Sequence, residues 1–244
     1  MNESVFQATD LCLNFKKKAV LDQLSIDVAR GEVTVLLGPN GVGKTTLFRM
    51  ALGLLAPTSG SLIVNGADPM VNPRKLRQRT GFVPSVPDPY PWMTIADLFR
   101  YLKPQYPTWD DLHADQLIES LGVPRDTTFA NLSRGEGMKA MLAAALAPSP
   151  ELLLLDEPFS GLDPVAREDV LRGVISSLRG EGRTVVCATH DLDVAARIAD
   201  QVAILRSGTV TAHGTLDKIM PPRKKEHSIS RRLQDLLVGG GKQS

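Results

Sequence analysis

The amino-acid sequence predicts an α/β fold around a mainly parallel sheet, and three observations carry the prediction. Two short, continuous apolar runs, residues 33–37 and 152–155, suit strands buried on both faces, as in parallel sheets covered by helices. Stretches of helical period with recognisable ends follow both runs. The third observation is the turn that joins the first run to a helix, Leu36-Leu37-Gly38-Pro39-Asn40-Gly41-Val42-Gly43-Lys44-Thr45-Thr46. It fits G-x-x-x-x-G-K-[ST], with Gly38, Gly43, Lys44 and Thr45 at the required places. Glycines let the backbone curl until successive N–H groups face one anion, and the helix adds its unpaired N–H groups and positive dipole end. Lys44 is then expected to reach the β- and γ-phosphates of a nucleoside triphosphate, with the Thr45 hydroxyl on Mg²⁺. Pro39, Asn40, Gly41 and Thr46 complete the phosphate-lining stretch.

Length and composition bound the rest. At 244 residues the chain suits one large domain, or a domain with an inserted lobe. A formal net charge of +1 provides no bulk field for nucleic acid or an anionic membrane, so nucleic acid is not an expected partner. Cys12 and Cys187 have neither metal nor redox spacing, and a reducing compartment is expected. Met1-Asn2-Glu3-Ser4 lacks the parts of a signal peptide, and the apolar residues 141–147 are stopped by Pro148. The chain is therefore expected to be soluble, with any membrane role reached through a partner.

Taken in order, residues 5–15 and 20–28 read as two strands around the Lys16-Lys17-Lys18 turn. Phe15 is either a core residue or a flat face for a nucleotide base. After the helix at 44–52, residues 57–60 form a loop and 61–64 a strand, with Asn65-Gly66 as a tight turn. Residues 74–79 read as a short exposed helix and 80–83 as a strand. Next come four prolines in eight residues, Pro84 to Pro91, an extended connector that excludes helix and central strand. Thr94 with Asp97, and Thr108 with Asp111, have capping-box spacing for helices ending near Lys103 and Leu121. Ser133 and Glu136 repeat that spacing before a helix reaching Ala147.

The second apolar run ends in Asp156-Glu157-Pro158. At the carboxyl end of a central strand, Asp156 is expected to hold Mg²⁺ and Glu157 to act as general base. Asp163 and Pro164 start a helix that runs to about Arg179, with Gly180 as its stop. A strand at 184–189 leads to His190, either structural or in contact with a γ-phosphate. A helix at 191–199, strands at 201–206 and 209–212 and a short helix at 215–220 complete the domain, and a tail expected to be loosely ordered begins at Pro221.

The ordered set of motifs resembles the ATPase subunits of ABC transporters, over roughly residues 5–220. It comprises the 36–46 loop, Leu132-Ser133-Arg134-Gly135-Glu136, the strand ending in Asp156-Glu157, Ser160-Gly161-Leu162-Asp163, and His190. The stretch Tyr106-Pro107-Thr108-Trp109-Asp110 and the short length look like stand-alone ATPases of bacterial exporters. The resemblance implies a single ABC-type P-loop ATPase domain at 1–220, with an N-terminal antiparallel region and a helical subdomain inserted at about 85–150. It also implies ATP and Mg²⁺ as cofactors, an integral membrane permease as partner, and a homodimer or a heterodimer with a second ABC ATPase. The expected place is cytoplasmic, peripheral on the inner face of the membrane. Each ATP would lie between the 36–46 loop of one subunit and Ser133 and Gly135 of the other. Phe15 would stack on adenine, His190 contact the γ-phosphate, and Asp163 cross the dimer interface.

Two positions depart from the family pattern. Ser85 stands where a Gln usually touches Mg²⁺ and the attacking water, so its shorter side chain would act through a bridging water. Arg134 stands where Gly is common and Glu136 where Gln is common; Arg134 is expected to bring positive charge to the phosphates. Alternatives are a soluble ABC-type ATPase of DNA repair or translation, or the ATPase of an importer. A kinase or GTPase leaves the 132–136 segment unexplained.

Overall fold

The computed structural model describes residues 3–16, 18–179 and 183–219, with the side chains of 176–179 excepted. Gly180, expected to stop a helix, and the tail from Pro221 lie outside the described residues. The chain divides into two compact units, residues 1–73 with 186–244, and residues 74–185.

In the first unit, β1 (Ser4–Phe15) and β2 (Lys18–Ala29) form the hairpin expected around the lysines, and β4 (Ser59–Val64) adds to the other edge of β1. This three-stranded sheet is antiparallel, in the order β2-β1-β4. Strand β3 (Val33–Leu37) is buried at every residue, as its unbroken β-branched and leucine run requires. It leads into α1 (Lys44–Ala51), which buries Leu47, Phe48, Met50 and Ala51. The later part of this unit contains the end of β7 (Thr184–Thr189), then α7 (Leu192–Ile198), β8 (Gln201–Arg206), β9 (Thr209–Gly214) and α8 (Leu216–Ile219). Its sheet order is β7-β3-β8-β9, with β3 and β8 parallel and β8 and β9 antiparallel, so the core sheet is mixed.

The second unit begins with α2 (Pro73–Gln78) and β5 (Thr80–Val83). No helix or strand interrupts residues 84–93, in keeping with the proline-rich connector. Helix α3 (Ile95–Leu102) opens on the expected capping box of Thr94 and Asp97. Helix α4 (Asp111–Ser120) corrects the expectation for Thr108. Its N-cap is Asp110, whose Oδ1 accepts from the N–H groups of Leu112 and His113, while the Thr108 hydroxyl donates to the carbonyl of Pro148 at 2.7 Å. The residue that begins the helix is the one whose carboxylate already reaches two orphan N–H groups. Helix α5 (Arg134–Leu146), β6 (Leu152–Asp156) and α6 (Pro164–Arg179) follow, and β5 and β6 pair in parallel. Within this unit the sheet order is β5-β6-β7.

Candidate functional site

The glycine-rich loop expected to bind phosphate is built where β3 meets α1. Gly38 is fixed by its surroundings, since a Cβ there would lie 2.7 Å from the Leu205 carbonyl oxygen and 3.0 Å from Val42 Cγ1. Gly41 and Gly43 have φ of +79° and +117°, a backbone that side chains resist. Gly43 is also crowded, because its Cβ would meet Leu21 Cδ2 at 2.6 Å and the Val20 carbonyl oxygen at 3.1 Å. The loop therefore rests on β2 as well as on its own sheet.

The start of α1 differs from those of α3, α4, α5 and α7 in one respect that matters for anions. Side chains of Thr94, Asp110, Ser133 and Asp191 cap α3, α4, α5 and α7, whereas Gly43 offers α1 no side-chain cap and the first turn of α1 holds no acid. With no acid in its first turn, the positive dipole end of this helix suits an anion. Lys44 is 5% exposed and donates to the carbonyls of Gly38 at 2.6 Å and Pro39 at 3.2 Å. The ammonium is thereby held against the loop. Pro39, Asn40, Gly41 and Thr45 are exposed, and Thr46 is half-buried.

Two other candidates lie in this unit. The Gly38 N–H donates to the Thr189 carbonyl at 3.2 Å, which brings the end of β7 to the start of the loop. The next residue, His190, is exposed. Phe15, at the end of β1, is 51% exposed, so it does not belong to the core.

The second unit carries the remaining candidates. Asp156 ends β6 at 2% exposure, and Glu157 follows at φ +49°, a left-handed conformation that costs a non-glycine residue about 1–3 kcal/mol. The Ser160 N–H donates to the Glu157 carbonyl at 3.1 Å and closes the turn that carries this strained residue. Asp156 Oδ1 and Glu157 Oε1 are shielded from solvent and accept no hydrogen bond, although both residues have further interactions. A buried carboxylate with hard oxygen donors suits Mg²⁺, which takes one or two protein carboxylates and completes its shell with phosphate and water. Ser85 is half-buried just beyond β5.

At the start of α5, the Ser133 hydroxyl and N–H both donate to Glu136 Oε2, at 2.7 and 2.8 Å, and the Glu136 N–H donates back to Ser133 Oγ at 3.2 Å. The Ser133 hydroxyl, and then its N–H, hold the Glu136 carboxyl below its ordinary range. Asp163 Oδ1 accepts from the N–H groups of Val165 and Ala166, both at 3.0 Å, so its carboxylate caps α6. A Cβ on Gly135 would lie 2.6 Å from the Cβ of Ala166, which sets the starts of α5 and α6 together. Sequence reading missed this contact. It also missed that Arg134 packs on Gly161, where a Cβ would lie 2.8 Å from the guanidinium carbon. Neither pairing has a local signal, since the partners are about thirty residues apart in sequence.

Fold and loop together define a P-loop nucleotide-binding protein. The sequence pattern of the family described as ABC transporter matches residues 21–160. The chain is 31% identical over 227 residues to the lipopolysaccharide export system ATP-binding protein LptB of Haemophilus influenzae, covering 89% of this chain and 93% of that protein. It is 35% identical over 213 residues to the carnitine transport ATP-binding protein OpuCA of Listeria monocytogenes, covering 84% of this chain but only 53% of that longer protein. A solved ATP-binding subunit of an ABC transporter superposes with a TM-score of 0.80 at 28% identity, over 97% of this chain and 95% of that one. The chain belongs to the ABC transporter family, as an ATP-binding subunit with ATPase activity.

Proposed function

We propose that the chain binds and hydrolyses ATP as a dimer in order to drive export through a membrane-embedded permease. The uncapped, glycine-opened start of α1 beside Lys44 is the observation that supports the nucleotide site most. Lys44 neutralises the β- and γ-phosphates, and the loop 38–46 lines them. The Thr45 hydroxyl and the Asp156 carboxylate would hold Mg²⁺, with Ser85 reaching it through a water. Bound Mg²⁺ would supply charge neutralisation for the leaving phosphates. Glu157 takes a proton from the attacking water, and His190 orients the γ-phosphate. Phe15 offers its exposed ring to adenine.

Ser133 and Gly135 of one subunit complete the site of the other, and Asp163 crosses between them. ATP closes this head-to-tail pair and hydrolysis releases it. Export follows the relative named for it, the lipopolysaccharide export system ATP-binding protein, to which the chain is 31% identical across 93% of that protein. Among the described residues no helix is long and apolar enough to cross a membrane, and the permease supplies that span at the cytoplasmic face. Affinity purification of the tagged chain from gently solubilised membranes of its own cells tests the reading. Mass spectrometry should find a multi-span membrane protein in stoichiometric amount. Recovery from the soluble fraction without one would overturn the transport role.

A further inference from the structure

We propose that Arg134 is a positioning residue: its guanidinium braces the segment that carries Glu157, through Gly161. The inference rests on the reading of Glu157 as the base. Three distances fix the geometry. A Cβ built on Gly161 would lie 2.8 Å from Arg134 Cζ, 2.9 Å from Nη1 and 3.2 Å from Nε. In an edge-on approach a nitrogen would be nearest and the central carbon behind it. Here the carbon is nearest, so the guanidinium presents its flat face to Gly161. That face fits because Gly161 has no side chain, and its φ of +69° belongs to glycine.

The brace acts on a short, strained piece of chain. Gly161 directly follows the turn closed by Ser160 N–H and the Glu157 carbonyl, in which Glu157 is left-handed. Beyond Gly161, Asp163 fixes the start of α6, and Gly135, adjacent to Arg134, meets Ala166 in its first turn. The beginning of α5 therefore grips residues 157–166 at two places, one through Arg134 and one through Gly135. Glycine at position 134 would keep the second grip and lose the first. Arg134 thus works through its planar face on the base-bearing turn of its own subunit, rather than through its charge on a phosphate.

Shape and charge can be separated at this position. Lysine keeps the charge without a flat face, whereas glutamine keeps a flat amide without charge. Steady-state ATPase assays should show that Arg134→Gly lowers kcat by about 10- to 100-fold, the scale of a misplaced catalytic group, with KM for ATP unchanged. Arg134→Gln should recover more of kcat than Arg134→Lys. Hydrogen exchange of the amides of residues 159–163 should be about tenfold faster in Arg134→Gly than in the native chain. Exchange does not depend on turnover, so it decides the brace even if the wild-type chain proves inactive, an outcome that would sink the ATPase reading alone. Unchanged exchange at 159–163 overturns the proposal. So does full recovery by lysine with none by glutamine, or a rise in KM at constant kcat.

Discussion

Replacing Gly43 by alanine should lower the melting temperature about two to three times as much as the same change at Gly41, although both glycines sit at positive φ in one loop. The left-handed backbone alone costs an L-residue about 1–2 kcal/mol at either position. At Gly41 nothing lies within 4 Å of the new Cβ, so that strain is the whole cost. At Gly43 the Cβ would be forced to 2.6 Å from Leu21 Cδ2 and 3.1 Å from the Val20 carbonyl oxygen. Leu21 is fully buried and cannot swing into solvent, so overpacking adds about 1–3 kcal/mol. For a domain of this size each kcal/mol is worth about 2–4 °C, which gives losses of roughly 4 °C for Gly41→Ala and roughly 10 °C for Gly43→Ala. Calorimetry on the two variants measures the difference. A cycle with Leu21→Ala then isolates its cause, because removing Cδ2 should make Gly43→Ala cheaper than in the native background. Equal melting losses for the two glycine variants, or strict additivity with Leu21→Ala, would refute the claim that β2 shapes the loop.

Other consequences concern the start of α5 and the loop lysine. Ser133→Ala removes the cap of α5 and should cost about 1 kcal/mol, read as a Tm lower by about 2–4 °C. The Glu136 carboxyl lies below its ordinary 4.5 in the folded chain, so its contribution to stability is complete above that pH and is lost as pH falls through the folded value. The native Tm should then fall more steeply than that of Glu136→Gln as pH drops below 4.5, and parallel curves would contradict the assignment. Lys44→Met removes the only cation that the loop itself carries and should weaken ATP binding by about 10- to 100-fold in a fluorescent-nucleotide titration.

The elements most legible in the sequence are those whose signal is local. The leucine run of β6 and the β-branched run of β3 could only be buried strands, and both are buried throughout. The capping boxes at Thr94 and Ser133 were readable because each satisfies its N–H groups within three residues. Thr108 shows where such reading fails, since a carbonyl forty residues away competes for its hydroxyl and Asp110 takes over the cap. The same limit hid the site's supports. Nothing near Arg134 names Gly161 as the surface for its guanidinium, and nothing near Gly43 names Leu21 as its neighbour. Motif spacing marks candidate phosphate-binding groups, whereas long-range packing decides what holds them in place.

The central claim is that Glu157 activates water at a nucleotide held by the Lys44 loop, and Glu157→Gln tests it most directly. The amide keeps nearly the same shape but cannot accept the proton, so turnover should fall by roughly 10²–10⁴ while ATP still induces dimers in size-exclusion chromatography. Near-normal ATP turnover by the Glu157→Gln protein would contradict the account.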